Sequence, residues 1–125
     1  MPRPQRLTTS LRERVWGRRR LAPWFPDSDR PIGEAWYLSD RDLPLLVKML
    51  FTSERLSVQV HPDDGEDGAR GKTEMWHIVD AEPGATIALG FRQPMTRDRL
   101  LASTKTGEIE QSLNWVPVHA GETYF

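Results

Sequence analysis

The sequence predicts a mainly β fold with one or two short helices near residues 96–113. Short runs rich in Val, Ile, Leu and Trp recur along the chain, and Gly, Pro and Asp residues separate them at regular spacing, as in β-sandwiches and barrels. Residues 56–61 alternate strictly between apolar and polar side chains, which is the period of a strand. Residues 96–113 instead carry the end signals of helices.

The first half of the chain is expected to hold two short strands after an irregular start. Residues 1–33 are punctuated by Pro2, Pro4, Pro23, Pro26, Pro31 and Gly33, so we expect loops there and no long regular element. Residues 34–39 read as a short strand. Residues 45–51 fit a helix or a strand by periodicity, but their short length and the preceding Pro44 favour a strand.

The second half is expected to hold three more strands before the helices. These are residues 55–61, 73–80 and 86–91, the last of them following a Pro83-Gly84 turn. A polar loop ending at Gly71 joins the first two.

Thr96 is a suitable helix cap, and Gly107 is the expected junction if residues 96–113 form two helices. Residues 116–125 then return to strand and turn chemistry.

Length and composition favour one small domain. The chain has 125 residues, of which 38% are hydrophobic, so its core must be lean. A net charge of -1 gives no reason to expect a nucleic-acid or membrane partner, and no window approaches the ~20 apolar residues of a membrane span. The absence of cysteine excludes disulfides and thiolate metal ligands. It fits a reducing compartment, and we expect a cytoplasmic protein.

The central alternation puts polar side chains on one face of the predicted strand. Gln59 and His61 would share that face with Cβ atoms ~7 Å apart, near enough to bind one ion. Glu74 follows beyond a Gly-containing loop and reaches the same place if that loop is a hairpin connection. Imidazole, carboxylate and amide donors suit a borderline divalent ion such as zinc. A polar stripe that faces into a barrel also needs an occupant.

The same spacing fits a simpler interpretation. In it His61 is an exposed residue at a strand end and Glu74 is a solvated charge; glutamine is also an unusual metal ligand. His77 has the opposite parity to Glu74, so we expect it to be structural or on the surface. His119, in a turn, is a weak candidate for a further ligand.

Several segments together resemble the type I mannose-6-phosphate isomerases, which are members of the cupin superfamily. The central two are Leu56-Ser-Val-Gln-Val-His-Pro-Asp-Asp64 and Gly71-Lys-Thr-Glu-Met-Trp76. The others that agree are Trp16-Gly17 with Leu21, Ile32-Gly-Glu-Ala-Trp36 with Ser39, residues 44–50, and residues 114–118 with 120–125. The resemblance extends over residues 14–125.

The resemblance implies an incomplete cupin or jelly-roll-like barrel. It also implies an enzyme of carbohydrate metabolism that uses zinc to interconvert mannose 6-phosphate and fructose 6-phosphate through a cis-enediol. By position in the motifs, Gln59, His61 and Glu74 match three metal ligands of the family. Lys72 matches a lysine beside the metal that is a proposed base or proton shuttle.

Two more positions match residues that line the family's substrate cavity, namely Ser57 and Lys48. The sequence pattern alone leaves Lys48 open between an edge residue that extends its ammonium into water and an inward-facing functional cation. The resemblance favours the second interpretation.

One departure from the family concerns the fourth metal ligand, a histidine in a Pro-Ala-Gly-Thr-x-His segment. The sequence given stops at Phe125, before such a segment. We therefore expect residues 1–125 to be a single N-terminal part of a cupin-type isomerase domain, without the C-terminal barrel strands and weakly active or inactive alone. The alternative is a non-catalytic degenerate cupin that binds a metal or a sugar phosphate.

The expected partners follow from the same reasoning. We expect a sugar-phosphate substrate, no nucleic acid and no membrane, and self-association through an open sheet edge. Exchange of strands between two copies would make His119 a candidate ligand in trans.

Overall fold

The structure, a computed structural model, describes residues 4–59, 61, 64–65 and 71–125. The chain divides into two compact units, Met1–Ser57 and Val58–Phe125. Strands predominate in both, and two short helices lie in the second unit. The predicted fold class, mainly β with one or two short helices near residues 96–113, is confirmed.

The first unit is built on an antiparallel sheet of three strands in the order β1-β2-β3. The strands are β1 (Thr8–Arg18), β2 (Ile32–Leu38) and β3 (Val47–Leu50). The central strand β2 begins with four consecutive buried residues, whereas most of β1 is exposed. The unit therefore packs its core against the start of β2.

The prediction that residues 1–33 lack long regular structure is wrong. β1 has 11 residues and is the longest strand in the described part of the chain. Seven of its residues are exposed and two are intermediate before the buried Gly17, so it carries no apolar alternation that would reveal a strand in the sequence. It forms because its backbone pairs with β2, from Thr8 opposite Leu38 to Arg18 opposite Ile32, with two register irregularities between them.

The core of the first unit is small. Leu21, Ile32, Ala35 and Phe51 are buried, and Phe25 packs against them with its ring at 79° to that of Phe51 and 5.9 Å from it. Edge-to-face aromatic packing of this kind is favourable beyond the area it buries.

Two glycines allow β1 and β2 to approach closely. A Cβ atom added at Gly17 would lie 2.5 Å from the carbonyl carbon of Ile32, and one added at Gly33 would lie 2.5 Å from the Cβ atom of Arg14. Both distances are far below van der Waals contact, so any side chain at either position would force the strands apart. The two glycines lie in the Trp-Gly and Ile-Gly-Glu segments on which part of the family resemblance depends.

The second unit contains two pairs of antiparallel strands. β4 (Trp76–His77) pairs with β7 (Thr123–Tyr124), and β5 (Thr86–Phe91) pairs with β6 (Leu113–Pro117). β5 has the bounds that the sequence predicted, whereas β4 covers only two residues of the predicted strand 73–80.

The helices lie between β5 and β6, as predicted. They are α1 (Arg97–Thr106) and α2 (Ile109–Ser112). The Thr96 hydroxyl accepts a hydrogen bond from the Arg99 amide at 3.3 Å, and Gly107 ends α1 in the left-handed conformation with φ of 79°. Neither helix has the length and apolar content that crossing a bilayer requires, among the residues described.

The strand expected over residues 55–61 is not present. Residues 55–59 and 61 belong to no strand, and Val60 lies outside the described residues. Alternation in the sequence is not by itself sufficient to form a strand, because a strand also depends on backbone pairing with a neighbour.

Candidate functional site

Three of the predicted site residues form a cluster in the second unit, which we call the central cluster: His61, Lys72 and Glu74. The Lys72 ammonium lies 2.8 Å from Glu74 Oε1 and 3.4 Å from His61 Nε2. His61 Nε2 lies 3.5 Å from Glu74 Oε2. The side chains of His61 and Glu74 are 26% and 30% exposed and that of Lys72 is 50% exposed, so the cluster is open to solvent on one side.

Local backbone geometry explains why these side chains meet. Lys72 and Glu74 are two positions apart in a non-helical segment that leads into β4, where alternate side chains point the same way. Asp64 Oδ1 accepts a hydrogen bond of 2.7 Å from the Gly71 amide, which ties the residues that follow His61 to those that precede Lys72. The predicted approach of Glu74 to His61 across this part of the chain is therefore present.

The donor atoms of the central cluster fit a divalent cation. Two ligands that are each about 2.1 Å from a tetrahedral ion are about 3.4 Å from one another, and His61 Nε2 and Glu74 Oε2 are 3.5 Å apart. Among the described residues no group of three or more His, Asp or Glu side chains could hold a metal ion. His61 and Glu74 offer two donor groups, so a metal ion bound there would need a further donor of another side-chain type, for which the sequence predicts the amide of Gln59.

Gln59 and Ser57 lie in the irregular segment before His61. Both side chains are exposed. Ser57 closes the first unit, and Gln59 lies in the second unit, two positions before His61. The metal role of Gln59 and the substrate role of Ser57 remain predictions.

Lys48 lies on β3 in the first unit and is held by a buried carboxylate. Its Nζ atom lies 3.2 Å from Glu34 Oε1, while Arg14 lies 2.6 Å from Glu34 Oε2. Lys48 and Arg12 also lie over the indole ring of Trp36, at 5.9 Å and 4.8 Å from its centroid. Lys48 is only 25% exposed, which fits an inward-facing cation better than an edge residue extended into water.

The electrostatics of Glu34 follow from these contacts. Burial is the largest influence and would raise the pKa of Glu34, but the hydrogen bond and charge of Lys48, with the charge of Arg14, outweigh it. The pKa of Glu34 therefore lies below its ordinary value, and the carboxylate is ionised at neutral pH. Glu34 and Arg14 were not predicted from the sequence, because the cross-strand register that joins them to Lys48 is not visible in any local pattern.

A second polar cluster joins the turn before β7 to that strand. Glu122 accepts hydrogen bonds from the Tyr124 hydroxyl at 2.8 Å and from the His119 backbone amide at 2.7 Å, and its Oε1 lies 3.1 Å from His119 Nδ1. The hydrogen bond from Tyr124 is the main cause that lowers the pKa of Glu122, and the same bond raises the pKa of Tyr124. Through its two contacts with Glu122, His119 is part of the turn before β7.

His77 lies on β4 with its side chain exposed, and its Nδ1 atom is 2.9 Å from the hydroxyl of Thr123 on the paired strand β7. This cross-strand contact agrees with the expectation that His77 is structural or on the surface.

A cavity of about 180 Å³ lies elsewhere in the second unit, between the segment after β5 and the two helices. Arg92, Arg99 and Gln111 are among the residues that line it. None of the predicted site residues lines it.

Comparison with known proteins identifies relatives over most of the chain. Mannose-6-phosphate isomerase from Streptococcus mutans is 36% identical over 86 residues, which cover 66% of this chain and 27% of that protein. Mannose-6-phosphate isomerase ManA from Bacillus subtilis is 38% identical over 87 residues, with the same coverage of both chains. No protein-family model matches the sequence.

A crystal structure of the mannose 6-phosphate isomerase from Bacillus subtilis has the same fold. It aligns with 95% of this chain at a TM-score of 0.78 and 25% sequence identity. The predicted resemblance to mannose-6-phosphate isomerases is confirmed. The predicted cupin-type fold is also confirmed. The aligned residues make up 51% of the solved chain.

The similarity to mannose-6-phosphate isomerases has a clear extent. The chain spans about a quarter of the length of the curated relatives that it matches, since the aligned residues make up 27% of each.

Proposed function

We propose that this chain supplies metal-binding and substrate-binding groups to an aldose–ketose isomerase that interconverts mannose 6-phosphate and fructose 6-phosphate. The observation that carries the proposal is the convergence of His61, Lys72 and Glu74 within 3.5 Å of one another. These are an imidazole, an ammonium and a carboxylate, and they occupy the motif positions that the resemblance to mannose-6-phosphate isomerases had assigned to metal binding and proton transfer.

The reaction requires stabilisation of charge and movement of one proton. When the proton leaves C2 of the open-chain sugar, negative charge develops on the oxygens of a cis-enediol, and the proton returns at C1. A zinc ion held by Gln59, His61 and Glu74 would act as a Lewis acid toward those oxygens. In this proposal Lys72 Nζ carries the proton, because it is an ionisable group within hydrogen-bond reach of the proposed ligands.

Binding of the substrate is assigned to Lys48 and Ser57. Lys48 is a partly buried cation whose orientation is fixed by its 3.2 Å contact with Glu34, so it is suited to hold an anionic or hydroxyl group of the sugar phosphate. Ser57 offers a hydroxyl that can donate to a sugar oxygen and accept from it. A cytoplasmic location belongs to the same proposal.

The test measures zinc binding, substrate binding and turnover by the purified chain of 125 residues. We expect about one equivalent of zinc in the wild type, binding of mannose 6-phosphate, and slow production of fructose 6-phosphate in a coupled assay. His61→Ala should weaken zinc binding by a factor of about 10 to 100 or more, because it removes a proposed ligand outright. The matched control is His77→Ala, which removes an exposed imidazole outside the central cluster.

Two results would contradict this proposal. One is equal zinc affinity in the wild type and in His61→Ala. The other is a wild-type chain that binds neither zinc nor mannose 6-phosphate.

A second candidate function is a binding module without catalysis. It is favoured by the finding that the described His, Asp and Glu residues include no group of three that could hold a metal. This candidate predicts binding of zinc or of mannose 6-phosphate with no fructose 6-phosphate formed. Turnover that disappears in Glu74→Gln would eliminate it.

A further inference from the structure

We propose that Lys72 is a tethered counter-cation of the metal site: its ammonium holds His61 and Glu74 together in the metal-free protein, and a divalent ion has to displace it. The proposal rests on the proposed function, because it takes His61 and Glu74 to be metal ligands. Its new content is a competition between a side chain and the metal for the same donor atoms.

The geometry places the ammonium against those donor atoms. Lys72 Nζ lies 2.8 Å from Glu74 Oε1 and 3.4 Å from His61 Nε2, and these two residues approach each other at 3.5 Å. An ion about 2.1 Å from both His61 and Glu74 would lie against the ammonium. The ammonium and the dication cannot both keep close contact with the same carboxylate, because like charges at such a distance repel strongly.

The burial pattern identifies which of the three groups can move. His61 and Glu74 are 26% and 30% exposed, whereas Lys72 is 50% exposed. A lysine side chain has a flexible four-carbon stem and a strongly hydrated head, so Lys72 can turn its ammonium into water while the two proposed ligands stay in place.

Two consequences follow for the site. In the metal-free protein the Lys72 ammonium lies beside both the Glu74 carboxylate and the His61 imidazole. It keeps their donor atoms near the separation that a metal requires. A monovalent ion competes poorly with an ammonium that is covalently tethered at 2.8 Å, so the site favours dications.

The test is calorimetric titration of the whole chain with zinc chloride. Lys72→Met removes the ammonium but keeps a long apolar stem, and we expect it to bind zinc about three- to tenfold more tightly than the wild type, as expected for loss of a partly exposed ion pair. Lys72→Arg keeps a cation at this position and should bind zinc no more tightly than the wild type.

The matched control is Lys105→Met. Lys105 is an exposed lysine in the last turn of α1, so this variant makes the same change in net charge outside the central cluster. Its zinc affinity should equal that of the wild type. Circular dichroism confirms that each variant is folded, and Lys72→Gln replaces Lys72→Met if the latter does not fold.

The outcomes separate this inference from the proposed function. Tighter binding in Lys72→Met alone supports the inference. Unchanged or weaker binding in Lys72→Met, with normal binding in the wild type, overturns it and leaves the proposed metal site intact. Absence of zinc binding in every variant and in the wild type overturns both.

Discussion

The Glu34 carboxylate connects all three strands of the first unit at the level of single residues. It lies on β2, its residue is 6% exposed, and it contacts Arg14 from β1 and Lys48 from β3. A buried carboxylate is tolerated only if it is paired, and removal of its charge leaves two cations that face each other. The contact that fixes Lys48 is therefore also a contact that stabilises the sheet.

Replacement of Glu34 by Gln tests this role. We expect a loss of about 2 kcal/mol in the free energy of unfolding, because both Arg14 and Lys48 lose an ionised partner in a partly desolvated site. Urea denaturation followed by tryptophan fluorescence measures it. Glu13→Gln is the control, since Glu13 pairs with Arg30 at 2.7 Å but both side chains are more than half exposed, and its loss should cost under about 1 kcal/mol. Equal losses of unfolding free energy in the two variants would show that the burial of Glu34 does not determine the size of the loss.

Comparison of the wild type with Glu34→Gln also gives a pH dependence of stability with a defined sign. The pKa of Glu34 is lower in the folded protein than its ordinary value of 4.5, so the carboxylate contributes stability above that value and loses it as pH falls through the folded pKa. Denaturation at pH 7, 5 and 3 should show the wild type losing stability toward acid, with the difference between wild type and Glu34→Gln shrinking. A difference that stays constant down to pH 3 would rule out titration of Glu34 as its source.

At the residue scale the sequence predicted one part of the site and missed another. The motif spacing anticipated that His61 and Glu74 meet, because both belong to one short stretch of chain tied by the contact of Asp64 with Gly71. Glu34 was not anticipated, since its partners are 20 residues before it and 14 residues after it in the sequence. Contacts across a sheet depend on register, which no short motif encodes.

At the scale of elements, the sequence predicted the helices and strands whose signals lie within the element itself. Helix α1 was anticipated because its signals, the Thr96 cap and Gly107, lie within the helix and at its ends. Strand β1 was missed because most of its side chains are exposed and it is held by backbone pairing with β2, which leaves no apolar pattern in the sequence. The opposite error occurred at residues 55–59 and 61, where an alternating pattern is present but no strand is formed.

The close approach of β1 and β2 gives a prediction for Gly17. A Cβ atom there would lie 2.5 Å from the carbonyl carbon of Ile32, so Gly17→Ala should destabilise the protein by about 2 kcal/mol through displacement of backbone. Gly107→Ala is the comparison, because nothing lies within 4 Å of the added Cβ and only the φ of 79° opposes it. That variant should cost about 1 kcal/mol. A Gly17→Ala protein with wild-type stability in urea would mean that the strands can separate freely.

At the scale of the whole molecule, the described chain is a set of small sheets with a lean core. Five hydrophobic residues are buried among those described, and only Leu113 of these lies in the second unit. The solved isomerase structure from Bacillus subtilis is matched over 51% of its chain, so its cupin-type fold contains residues beyond those aligned here. The overall class was predictable from composition and turn spacing, whereas the pairing of strands was not.

The edge of the three-stranded sheet yields the prediction for the molecule as a whole. β3 pairs only with β2 in that sheet. Its first residue Val47 is 55% exposed, and the two residues just before it, Leu45 and Leu46, are 76% and 49% exposed. An apolar strand at a sheet edge favours pairing with another chain. We therefore expect the sedimentation coefficient of the wild type to rise with protein concentration.

Val47→Lys places a charge on that edge and should keep the protein at the sedimentation coefficient of a monomer, because lysine opposes edge-to-edge pairing. Leu101→Lys is the matched control: Leu101 is 52% exposed, like Val47, but lies on helix α1. It should leave the concentration dependence of the wild type unchanged. A wild type that remains a monomer at every concentration would contradict association through β3, and equal suppression by both lysines would assign the association to general charge instead of to the sheet edge.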